Sequence, residues 1–167
     1  NISVCVIGLG FVGLTLAAIM AELGFNVHGI ERKKFIINKL KKKESHFFEP
    51  KLNNLLSKII TKKKLTFSKN FPKKKINTYI ITVGTPLNEN KSIITKHIKE
   101  TCEQISKRLN NGDIVILRST VKVGSTRNIA LPILKKSKKI FHLAYCPERA
   151  VEGAALKELK KLPQVIG

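Results

Sequence analysis

The sequence predicts an α/β fold in which helices cover both faces of a doubly wound parallel sheet. Short apolar runs alternate with helical segments almost to the end of the chain, a pattern typical of parallel sheets. A glycine-rich turn, GLGFVG (8–13), joins the first apolar run to the first helical segment. Together these observations indicate a Rossmann-type dinucleotide-binding domain.

Strands are predicted where short apolar runs end at turn residues or charges. The first run, residues 2–7, ends at the glycine turn, and the second, residues 25–30, stops at Glu31. The predicted strands are residues 2–7, 25–30, 65–67, 78–83, 114–117 and 140–145, and residues 164–166 begin a further strand.

Helices are predicted between these strands. Pro50 suits the first turn of one helix, and Asn110-Asn111-Gly112 ends another. Residues 87–92 are predicted to form a loop. The predicted helices are residues 14–23, 33–43, 50–61, 95–109, 124–134 and 153–162.

The glycine turn has the spacing that a pyrophosphate requires. Gly8 allows a sharp turn, Gly10 lets the pyrophosphate approach the backbone, and Gly13 lets the helix pack closely on the strand. Glu31 lies where a carboxylate accepts hydrogen bonds from ribose hydroxyls, which favours NAD over NADP. Arg32 leaves NADP open, because a neighbouring guanidinium suits a 2′-phosphate.

Polar motifs follow five of the predicted strands. In a doubly wound sheet, ligands bind beyond the carboxyl ends of the strands. These motifs are therefore expected to line one crevice. They are residues 8–13, Glu31, 84–86, 118–120 and 147–148.

The formal net charge is +21, and residues 32–75 hold half of the 32 lysines and arginines. A nucleic-acid surface is one interpretation. Lysine greatly outnumbers arginine and aromatic residues are sparse, which favours solvated lysine faces instead. A third interpretation is that the positive field attracts anionic ligands such as a dinucleotide or a nucleotide sugar.

Three cysteines without metal-like spacing indicate a reducing cytoplasm. Cys5 and Cys102 are expected to be packing residues, and Cys146, followed by Pro147, is not expected to be a nucleophile. The four histidines show no metal spacing either, so no metal site is predicted. No apolar run is long enough to span a bilayer.

The motifs at the strand ends resemble those of the UDP-glucose/GDP-mannose dehydrogenase family, the UDP-sugar 6-dehydrogenases. PER with TPL is most similar to the subgroup that oxidises UDP-N-acetyl-mannosamine or UDP-N-acetyl-glucosamine. The matching stretches are GLGFVGLTLA (8–17), FFEPKL (47–52), TVGTPL (82–87), LRSTVKVGSTR (117–127) and AYCPERAVEGAALKELKKLPQVIG (144–167).

The resemblance implies an NAD-dependent oxidation of a sugar C6 alcohol to a carboxylate, with two NAD reduced. It also implies that the nucleophilic cysteine lies downstream, so residues 1–167 are expected to be an N-terminal fragment that binds NAD without complete turnover. It further implies a UDP-sugar substrate and a homodimer of the full-length protein. A UDP-glucose, GDP-mannose or hydroxyacid dehydrogenase and, more distantly, a nucleic-acid-binding module are the alternatives.

The resemblance also implies roles for individual residues. Thr120 would hold a water near the reacting carbon, and Glu148 would serve in proton transfer and thioester hydrolysis. Arg149 and Ala150 would contact the UDP-sugar together with Glu148. The residues that it places at the cofactor are Phe11, Val12, Glu31 (where most members have aspartate), Thr85, Thr120 and Glu152.

Five of these residues have a purely structural alternative. Thr85 is also typical of a turn before Pro86, and Thr120 of a helix cap. Glu148 could be a surface acid, Arg149 a member of a surface ion pair, and Glu152 an acid at a helix N-terminus.

Overall fold

The computed structural model describes residues 2–91 and 93–167, and in these residues six parallel strands form one sheet. The strands are β1 (Ser3–Ile7), β2 (Asn26–Ile30), β3 (Leu65–Ser68), β4 (Thr78–Ile81), β5 (Asp113–Leu117) and β6 (Phe141–Tyr145). Their order is β3-β2-β1-β4-β5-β6, and each neighbouring pair is parallel. This is the order of doubly wound dinucleotide-binding sheets, so the predicted fold class is confirmed.

The helices cover both faces of the sheet. They are α1 (Phe11–Glu22), α2 (Lys34–Lys41), α3 (Leu52–Thr61), α4 (Lys96–Ser106), α5 (Leu131–Lys135) and α6 (Ala155–Lys161), and a π-helical segment, Thr126–Ala130, precedes α5. Val4 and Val6 point to the face that α1, α2, α3 and α6 cover. Cys5 and Ile7 point to the face that α4 and α5 cover. The alternation along β1 thus supplies both hydrophobic cores.

The register aligns the carboxyl ends of the strands. Ile7 of β1 pairs with Ile30 of β2 and with Ile81 of β4. Ile81 pairs with Leu117 of β5, which pairs with Tyr145 of β6. The residues that follow these five strands therefore lie along one edge of the sheet, as the sequence predicted.

The predicted bounds differ from the observed ones by no more than three residues, and α1 shows the most consequential difference. This helix begins at Phe11 rather than at residue 14, because the carbonyl of Gly10 already accepts a hydrogen bond from the Leu14 N–H at 2.9 Å. Gly13 therefore lies in the first helical turn. The start of α1 immediately follows Gly10.

Two other predicted elements differ in kind. The predicted helix 124–134 is π-helical over Thr126–Ala130, because Pro132 has no N–H to continue the regular hydrogen-bond ladder. The predicted strand start at 164–166 is wrong, since no strand is assigned there. Instead Gly167 alone exchanges two backbone hydrogen bonds with Tyr145, at 2.7 and 3.0 Å.

The cysteines are free and buried. Cys5 and Cys102 lie in the core between the sheet and α4, and burial raises the pKa of each thiol to about 12. Both are therefore the packing residues that the sequence predicted. Within residues 87–92, Leu87 forms an isolated antiparallel bridge with Ile93, and Ser92 lies outside the described residues.

None of the helices in the described part of the chain is long and apolar enough to cross a membrane. The same residues contain no cluster of three or more histidine, cysteine or acidic side chains that could hold a metal ion.

Candidate functional site

Gly8 makes the turn that leaves β1. Its φ is +94°, a conformation that residues with a Cβ rarely adopt. A Cβ at Gly8 would also lie 2.8 Å from the carbonyl oxygen of Thr82. The Gly8 N–H donates to the carbonyl of Ile30 at 2.8 Å. The turn is thus fixed between the ends of β2 and β4.

Gly13 brings α1 close to this turn. A Cβ at Gly13 would overlap the carbonyl oxygen of Gly8 and lie 2.6 Å from Thr82 Oγ1. That hydroxyl lies 2.9 Å from the Ile7 carbonyl oxygen and 2.7 Å from that of Gly8, and it donates to one of them. Thr82, which follows β4, therefore connects the end of this strand to the glycine turn by a hydrogen bond. Thr82 was not predicted as a site residue, because the predicted strand 78–83 includes it, whereas β4 ends at Ile81.

Gly10 faces open space. It is the N-cap of α1, and a Cβ placed on it would meet no atom within 4 Å. The first N–H groups of α1 have no carbonyl partner within the helix. Because of these free donors and the helix dipole, the space in front of Gly10 suits a pyrophosphate.

The segment 47–49 lies against the same turn. The Phe47 ring packs edge to face on Phe11 at the start of α1, with 5.3 Å between ring centroids. Phe11 and Val12 are the first two residues of α1. The FFEPKL stretch therefore contributes to the wall beside the glycine turn.

Glu31 is buried beside the glycine turn, with 8% of its surface exposed. Its Oε2 accepts the Leu9 N–H and its Oε1 accepts the Lys33 N–H, both at 2.9 Å. Each carboxylate oxygen can accept further hydrogen bonds. The longer side chain of glutamate thus still reaches the turn, and its carboxylate lies where ribose hydroxyls are expected.

Arg32 pairs with a residue of α4. Its Nη1 donates to Glu100 Oε2 at 2.9 Å. The sequence analysis placed Arg32 at the cofactor without identifying this partner, which lies 68 positions further along the chain.

The ends of β4 and β5 are tied together. Thr85 Oγ1 donates to the backbone carbonyl of Thr120 at 2.8 Å, and Ser119 Oγ donates to the carbonyl of Val83 at 2.7 Å. The Thr120 side chain is exposed at this edge. Thr85 and Thr120, which the sequence analysis singled out separately, are thus direct neighbours.

A buried ion pair occupies the ends of β5 and β6. Arg118 Nη2 donates to Glu148 Oε2 at 2.7 Å and Arg118 Nε to the same oxygen at 3.2 Å. The two side chains are only 5% and 9% exposed. Arg118 Nη1 also donates to Cys146 Sγ at 2.9 Å and to Gln164 Oε1 at 3.0 Å. Arg118 therefore donates four hydrogen bonds to three side chains, those of Glu148, Cys146 and Gln164.

The other carboxylate oxygen of Glu148 accepts hydrogen bonds from the backbone that directly follows it. Oε1 accepts the N–H groups of Arg149 at 2.7 Å and Ala150 at 2.8 Å. Burial raises the pKa of the Glu148 carboxyl, but the hydrogen bond from Ala150, the pair with Arg118 and the bond from Arg149 together outweigh burial and hold the pKa below its usual value. Glu148 is thus a buried carboxylate that is ionised at neutral pH.

The sequence analysis did not assign Arg118 a role. Its position within the 118–120 motif was a signal, but nothing in the sequence identified Glu148 as its partner. Glu152 stays exposed in the turn before α6, and the side chain of Arg149 is exposed as well.

Glu49 anchors the segment after Glu152. The helix that was predicted to begin at Pro50 begins at Leu52. Glu49 is 7% exposed, and its two carboxylate oxygens accept the N–H groups of Gly153 at 2.9 Å and Leu156 at 3.2 Å. Glu49 thus joins the wall of the glycine turn to the start of α6.

We expect Glu49→Ala to loosen residues 153–156, because two backbone N–H groups lose a charged acceptor. The free energy of unfolding should fall by about 1–3 kcal/mol, and amide exchange should accelerate at Gly153 and Leu156. Glu44→Ala is the control, since the side chain of Glu44 is exposed and pairs with Lys39 at the surface. Equal exchange in the two variants would contradict the anchoring role.

Comparison with known proteins agrees with this geometry. The family profile described as "UDP-glucose/GDP-mannose dehydrogenase family, NAD binding domain" matches residues 2–167. The chain belongs to the UDP-glucose/GDP-mannose dehydrogenase family. It provides the NAD-binding domain, and the resemblance identified from the motifs is confirmed.

Three proteins illustrate the family relationship. The chain is 34% identical to the UDP-N-acetyl-D-mannosamine dehydrogenase of Methanocaldococcus jannaschii, covering 98% of this chain and 38% of the relative. It is 32% identical to the UDP-glucose 6-dehydrogenase of Pseudomonas aeruginosa, covering 97% and 37%. The crystal structure of a ternary complex of GDP-mannose dehydrogenase from Pseudomonas aeruginosa matches with a TM-score of 0.92 at 27% identity, covering 98% and 40%. The chain thus spans less than half the length of these family members.

The family's cofactor, NAD, fits the residues present. The open space before Gly10 leaves room for a pyrophosphate at the start of α1, and Glu31 provides an acceptor beside it. The structure shows three separate contacts among the candidate site residues. Glu31 contacts the glycine turn, Thr85 contacts Thr120, and Glu148 contacts Arg118.

Proposed function

We propose that this NAD-binding domain belongs to an enzyme that oxidises the C6 alcohol of a UDP-sugar to the uronic acid. UDP-N-acetyl-mannosamine and UDP-N-acetyl-glucosamine are the preferred candidate substrates, and UDP-glucose and GDP-mannose are the alternatives. The observation that carries the proposal is the buried Glu148 carboxylate, held at the same sheet edge as the glycine turn. The names of the relatives support the substrate class.

The glycine turn and Glu31 are the residues that we expect to hold NAD. Bound there, NAD would accept a hydride from the C6 carbon. The N–H groups at the start of α1 would hold the pyrophosphate, and Glu31 would accept hydrogen bonds from a ribose. Phe11 and Val12 would contact the cofactor from the same turn, and Thr85 would lie along its path towards the end of β5.

Glu148 is the candidate catalytic residue of this domain. As an ionised carboxylate it can accept a proton from an attacking water or from the sugar hydroxyl. Oε2 is held by Arg118 and Oε1 by the N–H groups of Arg149 and Ala150. The proton acceptor is therefore fixed in position. The Thr120 hydroxyl, exposed at the neighbouring strand end, can orient a water without changing its own charge.

Arg149 and Ala150 follow Glu148 directly, so they are the candidate contacts to the UDP-sugar. Glu152 would lie near the cofactor, and its exposed position before α6 leaves it free to do so. The homodimer of the full-length protein and its cytoplasmic location stay predictions. A hydroxyacid dehydrogenase is the competing enzyme class.

Turnover of the full-length protein tests the proposal. We expect NADH to form with the UDP-N-acetyl-hexosamines named above and not with small hydroxyacids. NADH formation with hydroxyacids alone would overturn the substrate class.

In the full-length enzyme, we expect Glu148→Gln to slow uronic acid formation by about 100-fold or more, because the fixed proton acceptor is lost. The measurement is the rate of uronic acid release under saturating NAD. Glu103→Gln is the control, because it removes the charge of an exposed glutamate on α4. It should react at the wild-type rate. Equal rates for both variants would remove Glu148 from the mechanism.

A further inference from the structure

Two charges of opposite sign follow β2, and they favour different cofactors. The Glu31 carboxylate lies against the glycine turn and disfavours a 2′-phosphate on the neighbouring ribose. Arg32 comes next in the chain, and a guanidinium is well suited to hold a phosphate through paired hydrogen bonds. The sequence alone does not say which of the two charges prevails.

In the structure, the partner of Arg32 belongs to an element on the other side of β1. Arg32 follows β2, whereas Glu100 lies on α4, the helix that follows β4. In the sheet, β1 lies between β2 and β4. The ion pair of 2.9 Å between Arg32 Nη1 and Glu100 Oε2 therefore crosses near the end of β1, where the glycine turn begins.

The packing of α4 agrees with this placement. Ile98 and Cys102 of α4 lie in the same core as Ile7 and Ile30, the last residues of β1 and β2. Glu100 lies between Ile98 and Cys102 in sequence, on the more exposed side of the helix. The crevice next to Glu31 is thus bordered on one side by the Arg32–Glu100 pair.

The Arg32–Glu100 pair is neutral, so the Arg32 guanidinium adds no net attraction for an anion beside Glu31. The hydrogen bond from Arg32 is the main reason why the pKa of Glu100 lies below its usual value, and Lys96 and His97 lower it further. At neutral pH, Glu100 is therefore ionised and neutralises the guanidinium of Arg32. A 2′-phosphate entering there would meet two carboxylates, Glu31 and Glu100, and an arginine already engaged.

We propose that Glu100 determines cofactor specificity in this domain by holding Arg32 away from a 2′-phosphate, so that NAD is preferred over NADP. The inference rests on the proposed cofactor site at the glycine turn and Glu31. Glu100 needs no contact with NAD itself, because it acts mainly through the charge and direction of Arg32, and its own charge adds a repulsion of a 2′-phosphate.

The expected effect is moderate, because the pair is partly solvated. The side chains of Arg32 and Glu100 are 55% and 33% exposed, and exposed ion pairs shift equilibria by only about two- to fivefold. Loss of the Glu100 charge also removes a direct repulsion of the 2′-phosphate. A change of about three- to tenfold in the NADP-to-NAD ratio of dissociation constants is therefore expected.

The test is a calorimetric titration of wild type and Glu100→Gln with NAD and with NADP, at low and at physiological salt. We expect the NADP dissociation constant of Glu100→Gln to fall about three- to tenfold, and that of NAD to stay within about twofold. Glu103→Gln is the matched control, because it removes the same charge from an exposed position on the same helix. It should leave the ratio of the two dissociation constants unchanged.

The double variant Glu100→Gln/Arg32→Gln shows whether Arg32 is the group that binds the 2′-phosphate of NADP in Glu100→Gln. If freed Arg32 is responsible, this variant loses the improved NADP binding. An unchanged ratio in Glu100→Gln, or the same gain in Glu103→Gln, would overturn the specificity role. Failure of the wild-type protein to bind NAD at all would instead overturn the proposed cofactor site.

Discussion

We expect the Gly10→Val variant to lose NAD affinity by at least about 100-fold while it keeps the wild-type fold. The backbone of Gly10 has φ −66° and ψ −165°, which valine adopts readily. A Cβ at this position meets no protein atom within 4 Å, so the cost to folding is limited to about 1 kcal/mol at the N-cap. The added side chain occupies the space in which a pyrophosphate must approach the N–H groups of α1. Calorimetric titration with NAD, together with thermal unfolding, measures both effects.

Gly13→Ala is the matched control for a change in the same turn. Here the added Cβ overlaps the carbonyl oxygen of Gly8 and approaches Thr82 Oγ1 to 2.6 Å. We expect this variant to lose about 3 kcal/mol or more of the free energy of unfolding, because helix and strand must separate. Wild-type NAD affinity in Gly10→Val, or equal destabilisation by both variants, would contradict the assignment of Gly10 to the pyrophosphate site.

We expect Arg118→Met to destabilise the protein by about 3–5 kcal/mol at neutral pH, because it leaves the buried Glu148 carboxylate without its cation. The side chains of Arg118 and Glu148 are 5% and 9% exposed, so water compensates poorly for the lost partner. Arg127→Met is the control, since Arg127 is exposed and its loss changes the net charge equally. Urea unfolding of the two variants makes the comparison, and equal stabilities would show that the Arg118–Glu148 pair contributes nothing.

The pH dependence of this effect has a definite sign. The pKa of Glu148 in the folded protein lies below its usual value of 4.5, so the ionised carboxylate contributes stability above that value. This contribution is lost as pH falls through the folded-state pKa. The destabilisation by Arg118→Met should therefore be largest at neutral pH and should shrink in acid, as Glu148 becomes protonated. A deficit that is constant from neutral pH into acid would contradict the pairing.

Local sequence patterns predicted a doubly wound parallel sheet and the edge where the motifs meet. Apolar runs ending at Gly8, Glu31 and Gly84 identify strands in a parallel sheet, and this topology places their carboxyl ends together. The glycine spacing and the acid after the second strand then indicated the edge at which the cofactor is expected. This information is short-range, so it could be read from the sequence.

Contacts between distant residues could not be read in this way. Arg118 reaches Glu148 30 positions away, and Glu49 reaches Gly153 104 positions away. These pairings depend on the sheet order and on the path of each loop, and neither arginine nor glutamate carries a local signal of its partner. The start of α1 at Phe11 also escaped prediction, because the helix begins inside the glycine motif.

The most direct test of the cofactor site is amide chemical-shift mapping of the protein during titration with NAD. We expect the largest shifts at the amides of Gly10–Gly13, with further shifts at Glu31 and Thr85. Shifts confined to the lysine-rich residues 62–75, or no shifts at saturating NAD, would contradict the placement of the cofactor at the glycine turn.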